Sequence, residues 1–156
     1  MLISLFFFGN PDRGDDAAGE TLYRWAQDYF SDHSRLADGL ELRLTYDFQL
    51  EPEHIFDLDG SDLGVFIDCH SNTEKPVLWQ PIPVGSQLMF SSHSVTAESL
   101  LFLFESTLNK PAPPCYLLGI RGTEFSLGST LSSDVLRAIE QAKLQLAHRL
   151  RQCDFS

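Results

Sequence analysis

Two almost wholly apolar runs, Leu2–Phe8 and residues 63–67, constrain the fold most. A strand with so little polar alternation must be covered on both faces. The first run ends at Gly9-Asn10-Pro11, a loop signal, and the second ends at Asp68. Between and after them the periodicity becomes helical. Leu22, Trp25, Ala26 and Tyr29 predict an amphipathic helix over residues 15–30, and Val135, Ile139, Ala142, Leu146 and Leu150 share one face of a closing helix. Residues 40–46 alternate like a half-covered strand, and residues 51–58 suit a short helix. Prolines demote residues 77–82 to an edge strand. Ser94 is expected to cap an apolar helix over residues 95–108. After Pro111, Pro113 and Pro114, residues 116–120 read as the last core strand. Strands alternating with helices predict an α/β three-layer sandwich in one domain, residues 1–156. Its sheet is mostly parallel (mixed), twisted and of about five strands, with helices on both faces.

Acidic residues outnumber basic ones 22 to 11, for a net charge of −11. That balance repels phosphate backbones and excludes nucleic acid as a partner, while favouring cations and basic segments. The opening apolar run has no basic flank and reads as a strand rather than a signal peptide, and no stretch approaches a membrane span. Cys69, Cys115 and Cys153 are odd in number and form no CxxC pair, so they are expected as reduced thiols in a cytoplasmic protein.

Ligand sites of open α/β sheets form beyond the carboxyl ends of the strands, which directs attention to the loops after Phe8, Ile67 and Ile82. Gly9 and Gly14 have the spacing of a phosphate-binding loop, but Asp15 and Asp16 stand where Lys and Ser or Thr are needed. These charges attract a cation instead. For Asp15 two readings stand, a ligand or a cap of the following helix; Asp16 has no need to cap. Asp68 ends an apolar strand, and His93 precedes an apolar helix, where a histidine is commonly just polar surface. The topology brings Asp16, Asp68 and His93 to one end of the sheet. Two carboxylates and an imidazole suit a borderline cation such as zinc or nickel, with coordination positions left open. His33, His54, His70 and His148 have no partner at metal spacing and are expected to be exposed. Cys69 is expected to be a buried structural thiol.

The chain resembles the hydrogenase maturation endopeptidases, which process the large-subunit precursors of nickel–iron hydrogenases. The resemblance lies in Gly9-Asn10-x-x-Arg13-x-Asp15-Asp16-x-x-Gly19, then Ile67-Asp68-Cys69, then Ser92-His93-Ser94-Val95, and last Gly119-Ile120, Glu124, Gly128 and Leu131-Ser132. It implies removal of a carboxyl-terminal extension after nickel insertion. The metal-contacting and catalytic set would be Asp16, Asp68 and His93. The nickel would arrive with the precursor, leaving the enzyme, expected to be a monomer, without a permanent cofactor. One segment departs from the family: its Asp-Gly-Gly-Thr-x-Gly loop is replaced by Asp47, Phe48, Gln49, Leu50 and Glu51, then Pro52-Glu53. This segment is assigned to substrate binding and is similar to the subgroup serving soluble, NAD-coupled hydrogenases. Two rivals stand beside this reading. One is a receiver-like, Mg²⁺-binding phosphoacceptor domain, against which stand the loop between strand and acidic pair and Arg121 in place of a lysine. The other is a nickel chaperone without peptidase activity.

Overall fold

The computed structural model describes residues 1–71, 74–86, 90–91 and 94–156. Its strands are β1 (Leu2–Phe8), β2 (Glu41–Asp47), β3 (Leu63–His70), β4 (Val77–Pro81), β5 (Phe90–Ser91), β6 (Ser94–Val95) and β7 (Cys115–Arg121). The helices are α1 (Ala18–Phe30), α2 (His54–Leu58), α3 (Ala97–Leu108) and α4 (Ser133–Gln152). Five strands form one sheet in the order β2-β1-β3-β7-β4. The first four run parallel, and β4 joins β7 antiparallel at the edge. Phe90 pairs with Val95 and Ser91 with Ser94 in a separate two-stranded ribbon.

This is the expected mixed sheet with helices on both faces, and the pleat explains its two cores. Ile3, Leu5 and Phe7 of β1 and Val65, Ile67 and Cys69 of β3 point one way, onto α1 and α4. Phe6, Phe8 and Phe66 point the other way, toward α2 and α3, and Phe6 stacks on Phe66 with ring centroids 4.9 Å apart. Neither β1 nor β3 has a face to spare for water, which is why both read as apolar runs.

Several boundaries differ from expectation. The α1 region opens with a 3-10 turn over Gly14–Ala17 before the α-helix proper. Strand β3 does not stop at Ile67 but runs on to His70, so Asp68 is a strand residue. The cap of α3 is Thr96, whose hydroxyl accepts the Ser99 N–H at 3.2 Å; Ser94 lies in β6 instead. The edge strand ends at Pro81, where a missing N–H costs the sheet nothing.

Helix α1 approaches β1 unusually closely. A Cβ on Gly19 would lie 1.9 Å from the Phe8 carbonyl oxygen, so only glycine lets the helix seat there. Gly19→Ala should therefore destabilise the protein by about 3 kcal/mol or more, measured by urea denaturation. A loss below about 1 kcal/mol would show that α1 can shift to make room.

Candidate active site

The strand order reverses between β1 and β3: from β1 the chain goes outward to β2, then back across to β3. At such a point the loops leaving the carboxyl ends diverge and open a crevice. The loop after Phe8 and the end of β3 line that crevice here.

The first loop is built around Asp15, whose side chain is fully buried. Its carboxylate accepts the N–H groups of Thr123 (2.8 Å), Glu124 (3.0 Å) and Ser132 (2.7 Å), and the Ser132 hydroxyl at 3.0 Å. Ser132 is also the cap of α4, accepting the Val135 N–H. Burial alone would raise the Asp15 pKa, but these donors outweigh it and hold the carboxyl below its ordinary range. Asp15 therefore does not cap α1, one of its two expected roles; it fastens the first loop to the segment between β7 and α4.

With Asp15 turned inward, Asp16 faces the crevice. Its carboxylate accepts the Asn10 N–H at 2.7 Å, closing the loop on itself. Gly9 makes this possible: at φ +147°, a Cβ there would lie 2.0 Å from the Asp16 carbonyl oxygen. The end of β2 braces the same spot, since the Tyr46 hydroxyl donates to the Gly9 carbonyl at 2.9 Å.

Asp68 lies on the crevice side of β3 and accepts the Cys69 N–H at 2.8 Å. Burial, with a smaller contribution from the Asp16 charge, raises its pKa to about 7. Burial also raises the Asp16 pKa, opposed by the Asn10 N–H and Arg13. Two desolvated carboxylates thus face one space, an arrangement that a cation relieves or a single proton satisfies.

That space is a cleft of ≈ 810 Å³. Asp16 and Asp68 stand in it beside apolar walls that include Phe8, Phe66, Ile82, Val95 and Leu117. Phe48, Gln49 and Leu50 form one rim. Asp47 and Glu51, assigned with them to substrate binding, support the rim from behind. Asp47 accepts the Phe48 N–H at 2.7 Å, and Glu51 accepts from the Gln49 amide. His93, the third member of the expected set, lies outside the described residues. Among the described residues no group of three His, Cys, Asp or Glu side chains is arranged to hold a metal ion.

Two histidines expected at the surface are not there. His54 is buried, 4% exposed, and His70 is partly buried and lines the cleft. His70 had a legible signal, since strand alternation puts it on the same face as Asp68. Cys69 points to the opposite face and is buried, which pushes its thiol pKa up, so it is no nucleophile. Among the described residues no helix is long and apolar enough to cross a membrane.

No family model matches the sequence, and no curated protein matches it. Solved structures do match in fold. The hydrogenase maturating endopeptidase HybD of E. coli superposes with a TM-score of 0.73 at 18% identity, covering 98% of this chain and 94% of its own. The NiFe hydrogenase maturation protease HycI of Thermococcus kodakarensis gives 0.67 at 19% identity, covering 95% and 91%. HybD of the same organism, also a NiFe hydrogenase maturation protease, gives 0.59 at 21% identity, covering 97% and 99%. The chain shares the fold of these proteins over nearly its whole length.

The raised pKa of Asp68 makes a signed prediction. The folded protein holds this proton more tightly than the unfolded chain, whose carboxyl has the ordinary value of 3.8. The stability this provides is full below about pH 4 and is lost as pH rises through about 7. Asp68→Asn keeps an acceptor for the Cys69 N–H but cannot ionise. It should be more stable than the unaltered protein at pH 8, by up to about 4 kcal/mol, with the difference vanishing near pH 4. Denaturation curves across that range check this, and equal stability at pH 8 would contradict the desolvation of Asp68.

Proposed function

We propose that this chain is an endopeptidase that removes the carboxyl-terminal extension of a nickel–iron hydrogenase large-subunit precursor after nickel insertion. The observation that carries this reading is the pairing of Asp16 with Asp68 at the reversal point of a sheet whose fold is that of the maturation proteases. A cleft of ≈ 810 Å³ with apolar walls suits an extended peptide, which the site receives beside its carboxylates.

Asp16 and Asp68, with His93, form the proposed contact set for nickel carried by the precursor. Two carboxylates and an imidazole leave positions for the substrate's own ligands, so the enzyme needs no resident metal. The same carboxylates supply proton transfer. Water attacks the scissile carbonyl carbon while a carboxylate takes its proton. The C–N bond then breaks, and that proton passes to the leaving amine. Desolvation of both carboxyls raises their proton affinity, which favours the one not held by the metal as the group that takes and returns the proton. Phe48, Gln49 and Leu50, on the rim, select the substrate. Their departure from the glycine-rich loop makes the precursor of a soluble, NAD-coupled hydrogenase the first to test.

The receiver-like reading fits the architecture less well. The edge strand β4 is antiparallel, and Arg121 is engaged away from the cleft, donating to the Glu74 carbonyl at 2.9 Å.

Mixing the protein with nickel-loaded and nickel-free precursor, followed by mass spectrometry, tests the proposal. The extension should be lost from the loaded precursor alone, and Asp68→Ala or His93→Ala should slow this by at least about 100-fold while remaining folded. Normal cleavage by either variant would remove the site assignment. Tight nickel binding by the protein alone, with no cleavage of loaded precursor, would favour the chaperone.

A further inference from the structure

The rim of the cleft is held by a histidine that takes no part in the site itself. His54 begins α2, and its ring is wedged edge-on against Phe8 and Phe6, with centroids 5.3 and 6.0 Å away. Its Nδ1 is 2.8 Å from the Glu51 nitrogen and 3.0 Å from the Glu51 carbonyl oxygen. A backbone N–H must donate, so Nδ1 is the acceptor and the ring proton resides on Nε2. Nε2 in turn faces the Asp47 carboxylate at 3.6 Å. One buried imidazole therefore contacts both ends of the segment whose middle, Phe48-Gln49-Leu50, borders the substrate cleft.

We propose that His54 is a positioning residue for substrate selection: by accepting the Glu51 N–H, with its Nε2 packed toward Asp47, it sets where Phe48, Gln49 and Leu50 meet the peptide. This role rests on the endopeptidase reading. The chemistry of the segment explains why such a clamp is needed. Pro52 keeps Glu51 out of helical backbone, so the Glu51 N–H has no turn of helix to join and needs a side-chain acceptor. Phe48 is 54% exposed and touches the rest of the molecule through an edge contact with Tyr46, centroids 6.4 Å apart. An apolar ring so exposed keeps a defined position only if its backbone is held on both sides. Because His54 rests on Phe6 and Phe8 of β1, the rim is referred to the same strand that leads into the Asp16 loop. Rim and carboxylates are thereby kept in one frame.

Two variants separate positioning from bulk packing. His54→Phe keeps an aromatic filler but removes the acceptor and the Nε2 donor, whereas His54→Asn places an oxygen where Nδ1 stood. Two measurements apply to each: amide hydrogen exchange at Glu51, and kcat and KM on the nickel-loaded precursor. His54→Phe should speed Glu51 exchange and raise KM, each by about tenfold, with kcat within about twofold of normal. His54→Asn should return both to within about threefold of the unaltered protein. Unchanged Glu51 exchange in His54→Phe, a loss confined to kcat, or no restoration by asparagine would overturn the proposal. Should His54→Phe not fold, His54→Asn decides: protected Glu51 supports the clamp and rapid exchange rejects it. If the unaltered protein cleaves no precursor, the endopeptidase reading falls, and Glu51 exchange alone judges the clamp.

Discussion

The buried carboxylate of Asp15 is the interaction on which the rest of this structure depends. A desolvated charge is stable only when several donors surround it, and Asp15 has them from Thr123, Glu124 and Ser132. Those partners lie 108 to 117 residues further along the chain. One side chain thus joins the first loop to the start of the last helix. Because consecutive side chains diverge, turning Asp15 inward leaves Asp16 facing the crevice. The two aspartates look alike in the sequence and do opposite work: one has its charge satisfied by donors to build the loop, and the other is left short of them.

That shortage is the source of the site's chemistry. Asp16 has the Asn10 N–H and Asp68 the Cys69 N–H, too few to offset burial, and both carboxyl pKa values rise. The strain would be relieved if His54 or another buried base lay between them. His54 is instead committed to the backbone of Glu51, on the far side of the rim. The cleft consequently keeps a pair of carboxylates ready for a positive partner, beside apolar walls.

The layers of the fold were legible because period survives in an amphipathic chain: β1 and β3 read as buried, α1 and α4 as one-sided, and Pro81 marked the edge. What stayed hidden has a common cause. Asp68 and His70 extend β3, yet polar residues at a strand end look like a loop unless the face they share is known to line a cleft. His54 shares a helical face with Leu58, four residues on, but its partner is the backbone N–H of Glu51, which leaves no mark in the sequence. Asp15 was ambiguous because its partners are remote in sequence, although Glu124, Gly128 and Ser132, singled out by resemblance, lie in or beside the segment it binds. Of the proposed site, Asp16 and Asp68 are brought to one cleft.

We propose that this acidic cleft is a metal site completed only by its substrate. Nickel K-edge X-ray absorption on loaded precursor, alone and then bound to the Asp68→Asn and the unaltered protein at low temperature, tests it most directly. Oxygen or nitrogen scattering at the nickel should increase when the unaltered protein binds, and increase less when Asp68 is replaced. A nickel spectrum that does not change on binding would contradict it.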